Sequence, residues 1–316
     1  MAAALLVVFL SVSALVIDHG VILAERSIVS KAVDAAALAG AQELPDQVAA
    51  TAVATNYVGM NGGPGAVPNI TFPGSNVIRV AAGIQAPALF SRVLGLTDFT
   101  VSSIAEATRF DPYVAIIMDR SGSMCDGTHL GITCPPVGPW EPFNTVQQIA
   151  KDFVDQFRGN PVFTLISFST TATLDAALTS NREQIKAAID GLKPLGSTDI
   201  AAGLETSITQ LLQSTGRNPN LIVLMTDGLS NVANGVYYGD FSPVPREALI
   251  NAATRAHDNN MTIYGINYGP NVDDDLMRQV AETTEGKFYS APNNTVLQSV
   301  YSEIGSRAYI ALTNLH

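Results

Sequence analysis

Three oxygen-bearing side chains alternate in Asp119-Arg120-Ser121-Gly122-Ser123, a segment that begins where the apolar run YVAIIM ends. A second carboxylate, Asp227, follows LIVLMT in the same way and precedes Gly228, and Thr198 lies in a GSTD loop ahead of a helical pattern. Carboxylates at the ends of two buried strands are costly unless something positive lies between them, and apart from Arg120 no Lys or Arg near either one is an obvious source of that charge. A divalent cation meets the requirement. Ser121 and Ser123 alternate so that both hydroxyls can face an ion, and Thr198 can add a third. Carboxylate, hydroxyl and water oxygens are hard ligands, suited to Mg²⁺ and also to Mn²⁺ or Ca²⁺.

The elements that must hold these residues are read from hydrophobic patterning. Residues 113–119, 161–169, 220–227 and 261–269 are apolar, β-branched runs of the kind buried on both faces of a sheet. Helical patterns fall near 144–158, 181–192, 199–214, 245–259, 273–284 and 293–308. The alternation predicts a Rossmann-like α/β fold, a mostly parallel sheet with helices on both faces. Residues 172–178 follow their predecessor after too short a turn for a crossover, so they are expected as an antiparallel edge strand. In such sheets ligands bind beyond the carboxyl ends of the strands, where Asp119 and Asp227 fall.

The N-terminal third reads differently. No charge appears from Ala2 to Ile17, and apolar character resumes after Asp18-His19. The stretch of about 24 residues would reach roughly 36 Å as a helix, long enough to span a bilayer. The expectation is a single membrane helix, with a buried core helix as the alternative. Asp18 then marks a partner, a polar pathway or the headgroup interface. Beyond it ERSIVSKAVDAAALAGAQEL stays helical, and its small residues would allow close packing on copies of a similar helix. Residues 59–69 read as a turn-rich linker, followed by a strand at VIRVAAGI, a short helix at PALFSRVLG and a strand at FTVSSIAEATRF.

Composition narrows the function classes. With 47% hydrophobic residues the chain can build a sizeable core, and 17 basic against 28 acidic residues give a net charge of -11 that argues against nucleic-acid partners. No GxSxG nucleophile elbow, GxxxxGK[ST] or GxGxxG phosphate cradle follows a strand, and none of His19, His129, His257 and His316 falls where a general base is suggested. The expected role is binding, not catalysis. Cys125 and Cys134 lie in one Gly- and Pro-flanked loop where they could form a small disulfide, two free thiols being the alternative.

Two resemblances follow from these residues. The apolar run with Asp18, then VDAAALAGA, ALFSRVLGL and TVSSIAEAT, resembles the amino-terminal region of TadE/TadG-like assembly proteins of the tight-adherence (Tad or Flp) pilus, over roughly residues 1–110. Independently, Asp119-x-Ser121-x-Ser123, Thr198 and Asp227-Gly228 resemble the metal-ion-dependent adhesion site (MIDAS) of von Willebrand factor A domains, and residues 113–309 share that fold's element order. The second resemblance implies direct or water-bridged metal contacts from Asp119, Ser121 and Ser123, a switching contact from Thr198, and a contact mostly through water from Asp227. One metal position would stay open for an acidic side chain of a protein partner.

The expected layout is a pseudopilin-like membrane helix at 1–58, a small strand-helix-strand module at 59–110 and an A domain at 111–316. The implied protein sits in a bacterial inner membrane with its large domain in the periplasm or outside the cell. It contacts pilus or pseudopilin subunits through the N-terminal helix and acts in pilus assembly or adhesion. An A-domain scaffold of an envelope complex unrelated to pili is the alternative.

Overall fold

The computed structural model describes residues 2–94, 98–125, 134–157, 159–214, 219–270, 272–306 and 309–313. In chain order the first elements are α1 (Ala2–Glu43), α2 (Gln47–Asn61), β1 (Val67–Gly74), β2 (Val77–Pro87), a 3₁₀ turn (Ser91–Leu94) and β3 (Asp98–Phe110). Next come β4 (Tyr113–Asp119), α3 (Phe143–Gln156), β5 (Val162–Phe168), β6 (Ala172–Thr179), α4 (Arg182–Gly191), α5 (Ile200–Leu211) and β7 (Asn220–Thr226). The short strands β8 (Val232–Ala233) and β9 (Val236–Tyr237) lead to α6 (Pro243–Asp258), β10 (Met261–Tyr268), α7 (Asp274–Thr283), β11 (Lys287–Ala291), α8 (Asn294–Ser306) and β12 (Tyr309–Thr313).

The chain divides into two compact units, one of residues 1–110 with 308–316 and one of residues 111–307. The helix expected at 1–58 and the module expected at 59–110 both fall in the first unit. Its sheet runs β1-β2-β3-β12, and every pairing is antiparallel. The last strand, in residues that the sequence reading assigned to the A domain, lies along β3 with Tyr309 opposite Phe110. In the segment expected as a linker, α2 runs on to Asn61 and β1 begins at Val67.

Alanines and glycine decide how α1 meets this sheet. Val29, Val33, Ala36, Ala37 and Ala41 are buried with Ala50 and Ala54 of α2 and Ile78 and Val80 of β2. At Gly40 a Cβ would stand 2.6 Å from Ile78 Cδ1 and 3.1 Å from the Ala50 carbonyl, so a larger residue would push Ile78 and the start of α2 away. Ala36, Ala37 and Ala41 of this small-residue stretch thus pack within the first unit. Asp46 opens α2 by accepting the Val48 and Ala49 N–H groups at 3.0 Å.

The expected membrane helix and the single-pass inner-membrane location are overturned. No helix among the described residues is long and apolar enough to cross a membrane. Ile22, Val29 and Val33 along one side of α1 pack on protein, and Asp18 interrupts the run for a reason other than headgroup water. Its carboxylate is buried and accepts the N–H groups of Leu89 at 3.0 Å, Phe90 at 3.1 Å and Ser91 at 2.7 Å, together with the Ser91 hydroxyl. The Ser91 hydroxyl and these three N–H groups hold the Asp18 pKa down to about 2, against the opposing effect of burial. The helix expected at PALFSRVLG is this single 3₁₀ turn.

The second unit has the predicted α/β architecture, with its six strands in the order β11-β10-β7-β4-β5-β6. All neighbours are parallel except β6, the antiparallel edge strand. Ala115 and Ile117 of β4 pack with Ile166, Leu224 and Ile263 beneath α5, α6 and α7. Val114, Ile116 and Met118 alternate onto the other face and are as deeply buried. There Phe153, Phe157, Phe163 and Tyr301 form a chain of tilted and edge-on ring contacts. A Cβ at Gly203 would meet Phe168 at 2.9 Å and Ile117 at 3.1 Å, so glycine lets α5 settle on the strands that carry the candidate site.

Candidate metal centre

β4 delivers Asp119 to the carboxyl edge of the sheet, and β7 delivers Thr226 and Asp227 beside it, since Met118 stands in register with Met225. Asp119 and Asp227 are 0% and 2% exposed. One Asp119 oxygen accepts the Ser121 N–H at 2.7 Å and the other accepts the Thr226 hydroxyl at 2.6 Å. Burial pushes the Asp119 carboxyl above the usual range, while these hydrogen bonds oppose the shift. A buried carboxylate in this position gains from any cation that approaches it.

The hydroxyls join the two acids. Ser121 and Ser123 Oγ are 3.1 Å apart, and Ser123 Oγ donates to Asp227 Oδ1 at 2.6 Å. Thr198 enters from the loop before α5. A Cβ on Gly228 would lie 3.7 Å from Thr198 Oγ1 and 3.8 Å from Ser123 Oγ, so both oxygens face the space that glycine leaves open. All five residues singled out in the sequence thus meet at one edge. Arg120 serves elsewhere, donating to Ser167 Oγ at 3.1 Å and to Thr173 Oγ1 at 3.5 Å.

Backbone bonds fix the loops to one another. Leu195 N–H donates to the Arg120 carbonyl at 2.7 Å, and Gly122 N–H to the Gly196 carbonyl at 2.9 Å. Gly196 holds φ at +79°, a left-handed conformation that turns the chain into Thr198. Asp199 then caps α5 through the Ala202 N–H, and burial raises its pKa.

Asn231 and Thr226 complete the support, and the sequence reading identified neither. Asn231 accepts the Thr198 N–H on Oδ1 at 2.9 Å, returns its own N–H to the Thr198 carbonyl at 3.0 Å, and donates from Nδ2 to Asp240. Thr226 carried a usable signal, a hydroxyl at the end of a fully apolar strand next to an acid. Asn231 carried none, because its role exists only once the two loops meet. Beside the site Cys125 and Cys134 are joined by a disulfide with Cα atoms 5.8 Å apart.

The donor set fits a hard cation. Among the described residues no group of three or more His, Cys, Asp or Glu side chains comes together, which leaves no soft-metal cluster there. What converges instead is two carboxylates and three hydroxyls, the oxygen ligands that suit Mg²⁺, Mn²⁺ or Ca²⁺.

Residues 114–303 match the family described as von Willebrand factor type A domain. The chain belongs to that family. Among similar proteins, the UPF0353 protein of Nocardia farcinica is 27% identical over 245 residues, which cover 67% of this chain and 69% of the relative. The UPF0353 protein of Mycolicibacterium paratuberculosis is 27% identical over 179 residues, 50% of this chain and 51% of the relative, so several such relatives are spanned over only about half their length. Among solved structures, von Willebrand factor type A from Catenulispora acidiphila aligns with TM-score 0.50 and 15% identity over 73% of this chain and 45% of its own. The PilB minor pilin from Streptococcus sanguinis aligns with TM-score 0.50 and 16% identity over 76% of each chain. At such identities the likeness concerns the fold alone.

Proposed function

We propose that this A-domain chain is a metal-dependent binding protein of a Tad-type pilus system, acting in adhesion, in pilus assembly or in both. The observation that carries the reading is the convergence of Asp119, Ser121, Ser123, Thr198 and Asp227 on one edge of the sheet. These residues would hold Mg²⁺, or Mn²⁺ or Ca²⁺, and the ion would supply a Lewis-acidic position for a carboxylate from a partner protein. The chain's own part is to orient oxygens and keep two acids close without a competing cation. It is a binding role and not a catalytic one.

The pilus assignment rests on the resemblance of residues 1–110 to TadE/TadG-like proteins. Its support from fold is that a minor pilin is among the structural neighbours. The exposed apolar positions Val12, Leu15, Val16 and Leu23 of α1 are the surface offered to other subunits. The deciding experiment compares surface attachment and pilus counts in the same cells for wild type and a Thr198→Ala, Asp227→Ala double variant. The expected result is normal pili with attachment lost, mimicked in wild type by chelating divalent ions. Normal attachment with normal pili would remove the adhesion role, and loss of the pili themselves would move the site's role to assembly.

A further inference from the structure

The segment that leaves the site after Asp227 is built in an unusual way. Asn234 and Gly235, with φ of 52° and 74°, close a tight hairpin between β8 and β9. Val232 and Ala233 are buried, whereas the returning strand and the turn after it put apolar side chains into solvent: Tyr237 is 63% exposed and Phe241 86%, with Val236 and Tyr238 also exposed. Four such residues within six positions exceed the scattered apolar exposure of an ordinary surface.

This hairpin is fastened to the site. Val232 N–H donates to the Thr198 carbonyl at 3.1 Å and Tyr238 N–H to the Asn231 carbonyl at 2.8 Å, while Asn231 itself clasps Thr198. The Gly235 N–H reaches Asp199 Oδ2 at 3.5 Å. From Gly228 to Pro245 the only charged residue is Asp240, which already accepts from Asn231 Nδ2. The hairpin therefore offers a partner apolar and aromatic surface and no cation.

We propose that this hairpin is the specificity lip of the metal site, and that its occupant is an extended protein segment with one Asp or Glu flanked by apolar residues or proline. The inference rests on the metal-site reading given above. Charge complementarity selects the occupant: residues 228–245 carry no Lys or Arg, so the partner would bring its carboxylate to the metal and uncharged side chains to the lip. Tyrosine and phenylalanine suit that task, because they give large contact areas at little cost in side-chain entropy.

The test uses the full chain and two fluorescent synthetic peptides of equal net charge, each with one central Asp. Leu and Pro flank the Asp in one, Ser and Gly in the other. In MgCl₂ the apolar-flanked peptide is expected to bind about tenfold tighter, the scale of one well-buried apolar contact, and EDTA is expected to abolish the binding of both. A Tyr237→Ser, Phe241→Ser variant should lose the preference while its Mn²⁺ affinity by calorimetry is unchanged, and Phe241→Leu should retain most of it. Equal binding of both peptides, or a preference that survives in the double serine variant, overturns the lip while leaving the metal site standing. Absence of any metal-binding heat in wild type overturns both.

Discussion

The Thr226 hydroxyl donates to Asp119 Oδ2 at 2.6 Å across two adjacent parallel strands, and neither residue is open to solvent. The bond leaves the second Asp119 oxygen to the Ser121 N–H, so the carboxylate is held from both sides before any ion arrives. A Thr226→Val substitution keeps the shape and removes the donor. It should cost about 1–3 kcal/mol of stability, the penalty of an unsatisfied buried group, and weaken Mn²⁺ binding by about tenfold or more. Denaturant melts and calorimetric titration of the full chain measure the two effects, and unchanged metal affinity would show that Asp119 needs no such support.

Asp119→Ala removes a carboxylate that burial already disfavours in its charged form. Metal affinity should fall by more than about 100-fold, beyond the range seen when supporting residues are lost. The far-ultraviolet circular dichroism should stay that of wild type, since β4 is held on both sides by β5 and β7. Equal Mg²⁺ or Mn²⁺ affinity in variant and wild type would end the site assignment.

Asn231→Ala tests positioning without touching a proposed ligand. It removes the acceptor for the Thr198 N–H and the tie to Asp240 but leaves every candidate metal oxygen in place. Mn²⁺ affinity should fall about 10- to 100-fold. Asn231→Asp, which keeps the acceptor, should recover part of the loss. Equal affinities in all three proteins would confine Asn231 to a purely structural role.

The second unit was legible because its signals are local and redundant. Four doubly buried strands read as apolar runs, and Asp119 and Asp227 stood out by ending two of them. The edges were harder. Only Tyr289 and Ala291 of β11 are buried, so KFYSA lacks an apolar run, and the β8–β9 hairpin is two residues wide, although its Asn-Gly pair is a turn signal. The first unit misled for a physical reason. A helix made of alanine, valine and leucine has the same hydropathy whether lipid or a sheet covers it. The partners of Asp18 and Gly40 distinguish the two, and the residues that do so, Ile78 and Leu89 to Ser91, lie dozens of residues away in sequence.

Asp18 provides the test of that correction. Its folded pKa, lowered to about 2 chiefly by the Ser91 hydroxyl, lies below the ordinary value of about 3.9 expected for the unfolded chain. A depressed carboxylate stabilises the fold fully above the unfolded pKa, and the contribution is lost as pH falls from about 4 through 2. Asp18→Asn, which keeps the size but not the charge, should therefore lower the melting temperature of the full chain at pH 5–8. The gap to wild type should narrow below pH 4 and close near pH 2. A gap that stays constant across that range would mean that the Leu89–Ser91 turn gains nothing from the negative charge, and that Asp18 contributes only shape to the packing of α1.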